Sequence, residues 1–472
     1  MRANDMKMRI EHDLLGDREV PADAWYGVQT LRAVENFPIT GVPISHFPHF
    51  VAALAMVKAA AARANRDLGL IAPQKAEAII AACEEIVAGR LNDQFVVDLI
   101  QGGAGTSTNM NANEVIANLA LEKLGHPKGA YGHLHPNDDV NRSQSTNDAY
   151  PTAVCLGLQF AAEPLVAAIA SLQQSLAEKG QEFADVIKMG RTQLQDAVPM
   201  TLGQEFDAFA VNLGEDIDRI GEILRLLCEV NLGGTAIGTG LNTHPDYAVL
   251  AVRHLAEISG KPVVPAANLI EATSDMGAFV LFSGLLKRMA IKLSKLANDL
   301  RLLSSGPRAG LGEIVLPAMQ PGSSIMPGKV NPVIPEAVNQ VAYQVIGNDL
   351  AVTLAAEAGQ LQLNAMEPLI VYNLFSSLKM LATACRILEE RCIRGIRANR
   401  EQCRRHVEQS IGIVTALVPH IGYANATRIA AEALANGATV VDLVAAEGLL
   451  TLDELARLLS PQAMLSPGAC IA

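Results

Sequence analysis

The sequence predicts a mainly α-helical protein built on long helices that pack side by side. Three observations carry this reading. Aromatic residues make up only 4% of the chain, while Ala and Leu recur throughout, a balance that favours helix over sheet. Apolar residues step by three and four along two stretches: Phe206, Phe209, Leu213, Ile217, Ile220, Leu224 and Leu227, and then Phe282, Leu286, Met289, Leu293, Leu296, Leu300 and Leu303. Stripes of this kind mark helices with one buried seam, packed nearly parallel or antiparallel. Glycine and polar side chains gather in a few short islands instead of being spread along these stripes.

Each element follows from local composition. An N-terminal domain is expected over residues 1–145, punctuated early by Pro21, Gly27, Pro38, Gly41 and Pro43. Helices are expected over 50–64 and 73–89, and a polar stretch over 102–113 leads into a helix over 114–124. Residues 146–400 read as a central domain of five long helices: 148–183, the two striped segments, 338–361 and 367–393. A lone bundle of such helices exposes much apolar surface, and association of several chains is the natural remedy. Residues 401–472 read as a small C-terminal domain of short helices broken at Pro419, Gly422, Gly437 and Pro461.

Composition excludes several classes of function. A chain of 472 residues suggests two or three domains, and 50% hydrophobic residues supply ample core. Thirty-seven Lys and Arg against forty-nine Asp and Glu give a net charge of -12, unsuited to general binding of nucleic acid or anionic membrane. A small anionic substrate is still compatible, since a local cationic site can sit inside an acidic protein. The seven cysteines, Cys83, Cys155, Cys228, Cys385, Cys392, Cys403 and Cys470, are scattered and never form C-x-x-C, which argues against a disulfide framework or a zinc site. The segment Met1 to Met8 is polar and basic, and no apolar stretch of a secretory signal follows it. The apolar segments are periodic and interrupted by charge, so no bilayer span is expected. The expectation is a soluble, cytoplasmic protein.

Four polar islands interrupt the apolar pattern. The first is Gly105-Thr106-Ser107-Thr108-Asn109-Met110-Asn111-Ala112-Asn113-Glu114; a helix cap accounts for one or two of these residues, not for six hydroxyl and amide side chains between Thr106 and Asn113. The second runs from His135 to Asp148. Its His135 to Asp138 portion reads as a turn capping a helix and matches no standard divalent-ion loop. Its Ser145-Thr146-Asn147 end stands before a long apolar helix, where backbone N–H groups and small hydroxyls could hold an anion. The third, Gly190-Arg191-Thr192-Gln193-Leu194-Gln195-Asp196-Ala197, offers neutral hydrogen-bonding groups before a helix start, or is a plain polar connection between two helices. The fourth is Gly322-Ser323-Ser324-Ile325-Met326-Pro327-Gly328-Lys329-Val330-Asn331-Pro332. Pro321 and Pro327 exclude regular helix there, and Gly322 and Gly328 suit a loop that closes over a site.

This fourth island resembles the signature loop of the aspartase/fumarase superfamily, and the other three match the same superfamily in the same order. The resemblance runs from about Ile10 through Ile411, and includes the opening Glu11-His12-Asp13-Leu14-Leu15-Gly16 and Trp25-Tyr26-Gly27-Val28-Gln29-Thr30. It implies a homotetramer whose five long helices per subunit form a core of twenty, with active sites built from three subunits. It implies elimination from a succinyl skeleton with release of fumarate. Ser323 matches the base that takes the Cβ proton. Thr106, Ser145, Thr146 and Ser324 match residues that hold the β-carboxylate. Lys329 and Asn331, with Thr192, match those that hold the α-carboxylate. Asn147 and Gln193 match positions facing the leaving group.

The chemistry is coherent with those residue types. A proton alpha to a carboxylate is barely acidic, and its removal gives a dianionic aci-carboxylate. A ring of fixed neutral donors stabilises that charge as it develops. Two branches of the superfamily share the motifs, the aspartate ammonia-lyases and the class II fumarate hydratases. The hydratases resemble Gly-Arg-Thr-His at the third island, where Gln193 stands here, and Glu336 matches the acidic partner of that histidine; some aspartases also carry the histidine, whereas others carry glutamine. Glutamine cannot exchange a proton at neutral pH. Hydroxide needs acid help to leave, whereas an ammonium group leaves already protonated as ammonia. Gln193 therefore points to the deaminating branch, with the hydratase as the alternative. A catalytically silent structural relative is a third reading, and it would not need Ser323, Lys329 and Asn331 together. No Ala-Ser-Gly tripeptide is present to build an electrophilic cofactor. No cofactor is expected to be required, and Mg2+ activation stays open because no ligand set stands out.

Overall fold

Two buried carboxylates organise the start of the chain. The computed structural model describes residues 7–465; Cys470 and most of the basic N-terminal segment lie outside them. Strands β1 (Met8–Asp13) and β2 (Gly16–Pro21) pair antiparallel. Helix α1 (Val28–Asn36) follows Gly27. Its first N–H groups have no cap of their own. Glu114 accepts instead from the backbone of Gly27 at 2.8 Å, Gln29 at 2.9 Å and Thr30 at 3.1 Å, and Glu11 accepts from Val28 at 2.8 Å. Only glycine fits position 27, because a Cβ there would lie 2.5 Å from a Glu11 carboxylate oxygen. The two opening motifs are thus halves of one buried joint.

Helices α2 (Pro48–Asp67) and α3 (Pro73–Val87) each begin at a proline, which loses nothing at a helix start. Helix α2 extends its expected range by less than a turn at each end, and α3 ends two residues before the expected one. Helix α4 (Thr106–Lys123) begins at the first polar island, not after it. Asparagine is a poor helix former, but here tertiary partners outweigh propensity. Asn111 accepts from the Val96 N–H at 2.9 Å and donates to the Gln94 carbonyl at 3.0 Å, and Asn118 donates to the Trp25 carbonyl at 2.8 Å.

The long helices are α5 (Thr146–Glu182), α6 (Leu202–Leu224), α9 (Gly277–Leu303), α10 (Val333–Glu357) and α11 (Glu367–Arg391). At ~1.5 Å per residue, α5 alone spans about 55 Å. The expected central domain is less purely helical than its stripes suggest. Strands β3 (Ile187–Thr192) and β4 (Gln195–Thr201) form a hairpin between α5 and α6. Helices α7 (Tyr247–Ser259) and α8 (Leu269–Ser274) come before α9. Beyond α11 the helices are short: α12 (Arg400–Gln409), α13 (Val414–Ile421), α14 (Tyr423–Asn436), α15 (Val440–Ala446) and α16 (Leu452–Leu458). Pro419 lies inside α13 and does not break it.

The chain divides into two compact units, one of residues up to Val166, Asp218–Ala290 and Tyr343–Ala382, the other of Ala167–Ile217, Ile291–Ala342 and residues from Thr383 on. The first has an aromatic centre, with Phe50 against Tyr150 at 5.7 Å and against Phe375 at 5.3 Å between ring centroids. In the second, Phe183 meets Phe206 edge-on at 5.3 Å, and Leu417, Ile429, Val444, Leu455 and Leu458 bury a separate cluster with Met189.

Two helical segments, Thr146–Glu182 and Glu367–Gly395, are long and apolar enough to cross a bilayer by length and composition, as is a pair formed by α14 and α15 if taken as one span bent by 119°. This corrects the expectation that no segment is. Charge interrupts these helices mainly toward their ends, which leaves a long apolar stretch. That stretch serves packing: 56% and 61% of the two windows are buried inside the protein. The six described cysteines are free.

Glu367, the first residue of α11, is buried, and its Oε1 has no hydrogen-bond partner among the described residues. Burial pushes its pKa up to about 8, against about 4.3 in an unfolded chain. The folded state therefore holds a proton that the unfolded state releases between those values. Its contribution is fully present below about pH 4 and is lost as pH rises through about 8, by roughly tenfold in the folding equilibrium per pH unit. Glu367→Gln should remove this loss. Thermal melts at pH 5 and pH 8 should show a smaller fall for the variant than for the parent, and equal falls would contradict the assignment.

Candidate active site

The start of α5 is capped by its own first side chains. Ser145 stands at the N-cap, and its Oγ accepts from the Asn147 N–H at 3.2 Å. The carboxylate of Asp148 reaches back to the Ser145 N–H at 2.9 Å. The other oxygen of Asp148 accepts from the N–H groups of Gly233 at 2.8 Å and Thr235 at 3.1 Å. Asp148 is fully buried, and burial raises its pKa against these three bonds. Asn147 donates to the Ala236 carbonyl at 2.7 Å. Ser145, Thr146 and Asn147 thus occupy the first positions of a 37-residue helix, whose dipole and N–H groups favour an anion.

Thr106 begins α4, where its hydroxyl donates to the Gly103 carbonyl at 2.7 Å. Gly105, at φ +88°, turns the chain into that helix. A Cβ on it would lie 2.6 Å from the Tyr150 ring. One turn on, Asn109 is buried and donates to Thr146 Oγ1 and to Asn141 Oδ1, both at 3.1 Å. The first two islands are therefore joined. Behind them stands Lys58, fully buried on α2, whose Nζ donates to Asn109 Oδ1 at 2.6 Å, Asn141 Oδ1 at 2.9 Å and Gln144 Oε1 at 2.9 Å. Burial lowers its pKa to about 7, against the pull of Asp148 and Cys83. Sequence reasoning missed Lys58, for a single lysine in an alanine-rich helix carries no signal.

The third island is a hairpin turn and not a helix entrance. Thr192 and Gln195 pair across a two-residue turn formed by Gln193 at φ +54° and Leu194 at φ +63°. Such a turn matches the twist of its strands but asks for Gly or Asn, so two larger side chains are held there at a conformational cost. The base of the hairpin is fixed by Glu313, which is fully buried. It meets Arg191 at 2.7 Å, His406 at 2.9 Å and Lys188 at 3.1 Å. Burial pushes the Glu313 carboxyl up, but Lys188, His406 and Arg191 together hold it below the usual range. Thr192 and Gln193 are exposed at the tip.

The fourth island is a closed loop. The Gly322 N–H donates to the Lys329 carbonyl at 2.9 Å, and Asn331 Nδ2 donates to the Gly322 carbonyl at 2.9 Å. Inside this neck, Ser323 Oγ accepts from the N–H groups of Ile325 at 3.2 Å and Met326 at 3.1 Å. Ser323 and Asn331 are half-buried, while Ser324 and Lys329 are exposed. Thr106, Ser145, Thr146 and Asn147 belong to the first unit, and Thr192, Gln193, Ser323, Ser324, Lys329 and Asn331 to the second. His135 caps its own turn, accepting from Asn137 and Asp138 N–H at 3.2 Å each. Among the described residues, no group of three or more His, Cys, Asp or Glu side chains is placed to hold a metal ion.

The family matches place this arrangement of long helices, donor-rich helix ends and a serine loop among the lyases. Residues 16–347 match the model of the Lyase family and residues 413–466 that of the fumarase C C-terminus. The chain is 66% identical over 460 residues to an aspartate ammonia-lyase of Pseudomonas aeruginosa, covering 97% of each. A crystal structure of a fumarate lyase:delta crystallin from Brucella melitensis bound to cobalt is 60% identical, with a TM-score of 0.95 over 98% of this chain and 100% of that one. A class II fumarase from Schistosoma mansoni is 36% identical, with a TM-score of 0.91 over 97% and 99%. The chain belongs to the aspartase/fumarase superfamily and, within it, to the aspartate ammonia-lyases.

The neck of the serine loop is a test point. A Cβ on Gly322 would lie 2.4 Å from the Lys329 carbonyl oxygen. Gly322→Ala should force the neck open and displace Ser323 and Lys329. A misplacement of about 1 Å costs on the order of 10²-fold in rate, while melting temperature should hold because the loop is largely exposed. A variant with parental turnover would show that the neck does not set the loop.

Proposed function

We propose that the enzyme deaminates L-aspartate reversibly to fumarate and ammonia, with Ser323 as the base. The observation that carries this reading is the setting of Ser323 Oγ, which accepts two backbone N–H groups. Fixed dipoles aimed at an oxygen stabilise its anionic form, which is what a serine needs to act as a base at neutral pH. Ser323 takes the Cβ proton of aspartate. The electron pair left on carbon spreads into the β-carboxylate, giving an aci-carboxylate held by Thr106, Ser145, Thr146 and Ser324. Lys329, Asn331 and Thr192 hold the α-carboxylate. Collapse of the intermediate forms the double bond and breaks the C–N bond. The amino group, already protonated, departs as ammonia past Asn147 and Gln193. No cofactor is required in this scheme, and we read the enzyme as cytoplasmic.

L-aspartate should yield fumarate, followed by its absorbance, with no cofactor added, and L-malate should react far more slowly. Comparable rates on both would transfer the chain to the hydratase reading and discredit the role given to Gln193; no product from either would favour the silent scaffold. Ser323→Ala should lose ~10²–10⁴-fold in turnover and lose solvent deuterium exchange at Cβ, while still binding succinate. Near-parental exchange would remove Ser323 from the role of base.

A homotetramer with sites shared among three subunits fits this chemistry. Val211, Leu281, Ile291, Leu350 and Leu354 lie on long helices and are each more than half exposed in the single chain. Apolar stripes of that kind call for a partner. Sedimentation should give a particle of four times 50.0 kDa. Refolding Ser323→Ala mixed with Thr192→Ala should restore part of the activity, since different chains would supply the two residues. A fully active monomer would overturn both statements.

A further inference from the structure

We propose that Lys58 is a positioning residue for the elimination: through Asn109 it orients the Thr146 hydroxyl so that its proton points at the substrate carboxylate. The proposal rests on the reading that Thr146 holds the β-carboxylate. A protonated lysine has three donors and no acceptor. Its Nζ has three partners, Asn109 Oδ1, Asn141 Oδ1 and Gln144 Oε1, all amide oxygens. Three amide oxygens within 2.9 Å of one nitrogen are the surroundings of its ammonium form, which makes each amide present oxygen and turn its NH2 away.

For Asn109, facing away means facing Thr146, whose Oγ1 accepts from Nδ2 at 3.1 Å. A hydroxyl that accepts from an amide cannot also donate to it. The one proton of Thr146 is left for another acceptor, at the first turn of a helix suited to an anion. Gln144 is fixed in the same way. Its Nε2 donates to the carbonyls of Val140 at 3.0 Å and Arg142 at 3.2 Å. Asn141 in turn donates to the Gln144 carbonyl at 3.2 Å, which locks the segment entering Ser145.

Among the described residues, no carboxylate is bonded to Lys58. The nearby acid, Asp148, is engaged with Ser145, Gly233 and Thr235. Burying an ammonium group against neutral amides alone is costly. A structural lysine would be better served by a carboxylate at position 109. That carboxylate would have no N–H for Thr146, and the hydroxyl would turn its proton inward. The amide is what makes the charge useful to the site.

The test compares Lys58→Met, Asn109→Asp and Thr146→Val, singly and with Lys58→Met and Thr146→Val combined, using aspartate turnover, succinate binding and thermal melting. Loss of a donor to a developing oxyanion costs ~10²–10³-fold in kcat. Each single variant should fall in that range, and the double variant should be no worse than Thr146→Val alone, because Lys58 acts through that hydroxyl. Asn109→Asp separates position from structure: it keeps the link to Lys58 as an ion pair, so melting should hold while kcat falls. Multiplying losses in the double variant, or parental kcat in Asn109→Asp, would overturn the proposal. If Lys58→Met fails to fold, the kcat of Asn109→Asp alone decides. Parental turnover and succinate binding in Thr146→Val would instead overturn the reading of Thr146 itself.

Discussion

The site depends first on one buried carboxylate. Asp148 sits in the opening turn of α5 and spends both oxygens on backbone N–H groups, one at its own helix start and two from the glycine-rich segment at Gly233 and Thr235. Four helix N–H groups are left unpaired at any helix start, and here the chain satisfies part of that demand from within. Ser145, Thr146 and Asn147 are consequently held with hydroxyls, an amide and N–H groups at the positive end of a very long dipole. A carboxylate buried this deeply is costly unless fully bonded; three bonds in two directions offset part of that cost, and the remainder shows as a raised pKa. Losing any of them would free the segment that three of the proposed substrate contacts share.

The apolar skeleton was largely legible in the sequence. Both striped segments are helices, α6 and α9, and the apolar runs near residues 50, 73, 148 and 367 became α2, α3, α5 and α11 within a turn or so. Periodicity fails where other physics decides. The hairpin at 187–201 is not legible because its turn is built on Gln193 and Leu194, neither of which announces a positive φ. The start of α4 at Thr106 is not legible because a run of asparagines argues against helix. Their partners, such as the Val96 N–H and the Gln94 carbonyl, come from distant sequence that no local rule can see.

The functional islands were legible as islands, and their chemistry less so. That Ser323 stands in a loop framed by proline and glycine can be read from composition. That its oxygen accepts two backbone N–H groups cannot, since it depends on how the neck at Gly322, Lys329 and Asn331 closes. The joint between Glu11, Glu114 and the segment at Gly27 is similar. Each motif is visible alone, but the reason Gly27 must be glycine lies 2.5 Å away in another motif.

The hairpin raises a question of a different kind, namely how an exposed, strained tip is kept in place. Its tip carries Thr192 and Gln193, which the proposed mechanism asks to meet a carboxylate and a leaving amine. Strain of one or a few kcal/mol at such residues persists only where the surroundings fix the backbone. The surroundings here are ionic. Glu313 gathers Arg191, Lys188 and His406, and Lys188 also meets Glu205 at 2.6 Å. From the other strand, Asp196 accepts from Ser410 at 2.8 Å. These partners come from α6, from the segment before α10 and from residues after α11. The short C-terminal helices therefore do more than end the chain: they supply His406 and Ser410, which pin both strands beneath a turn that its own residues would not favour.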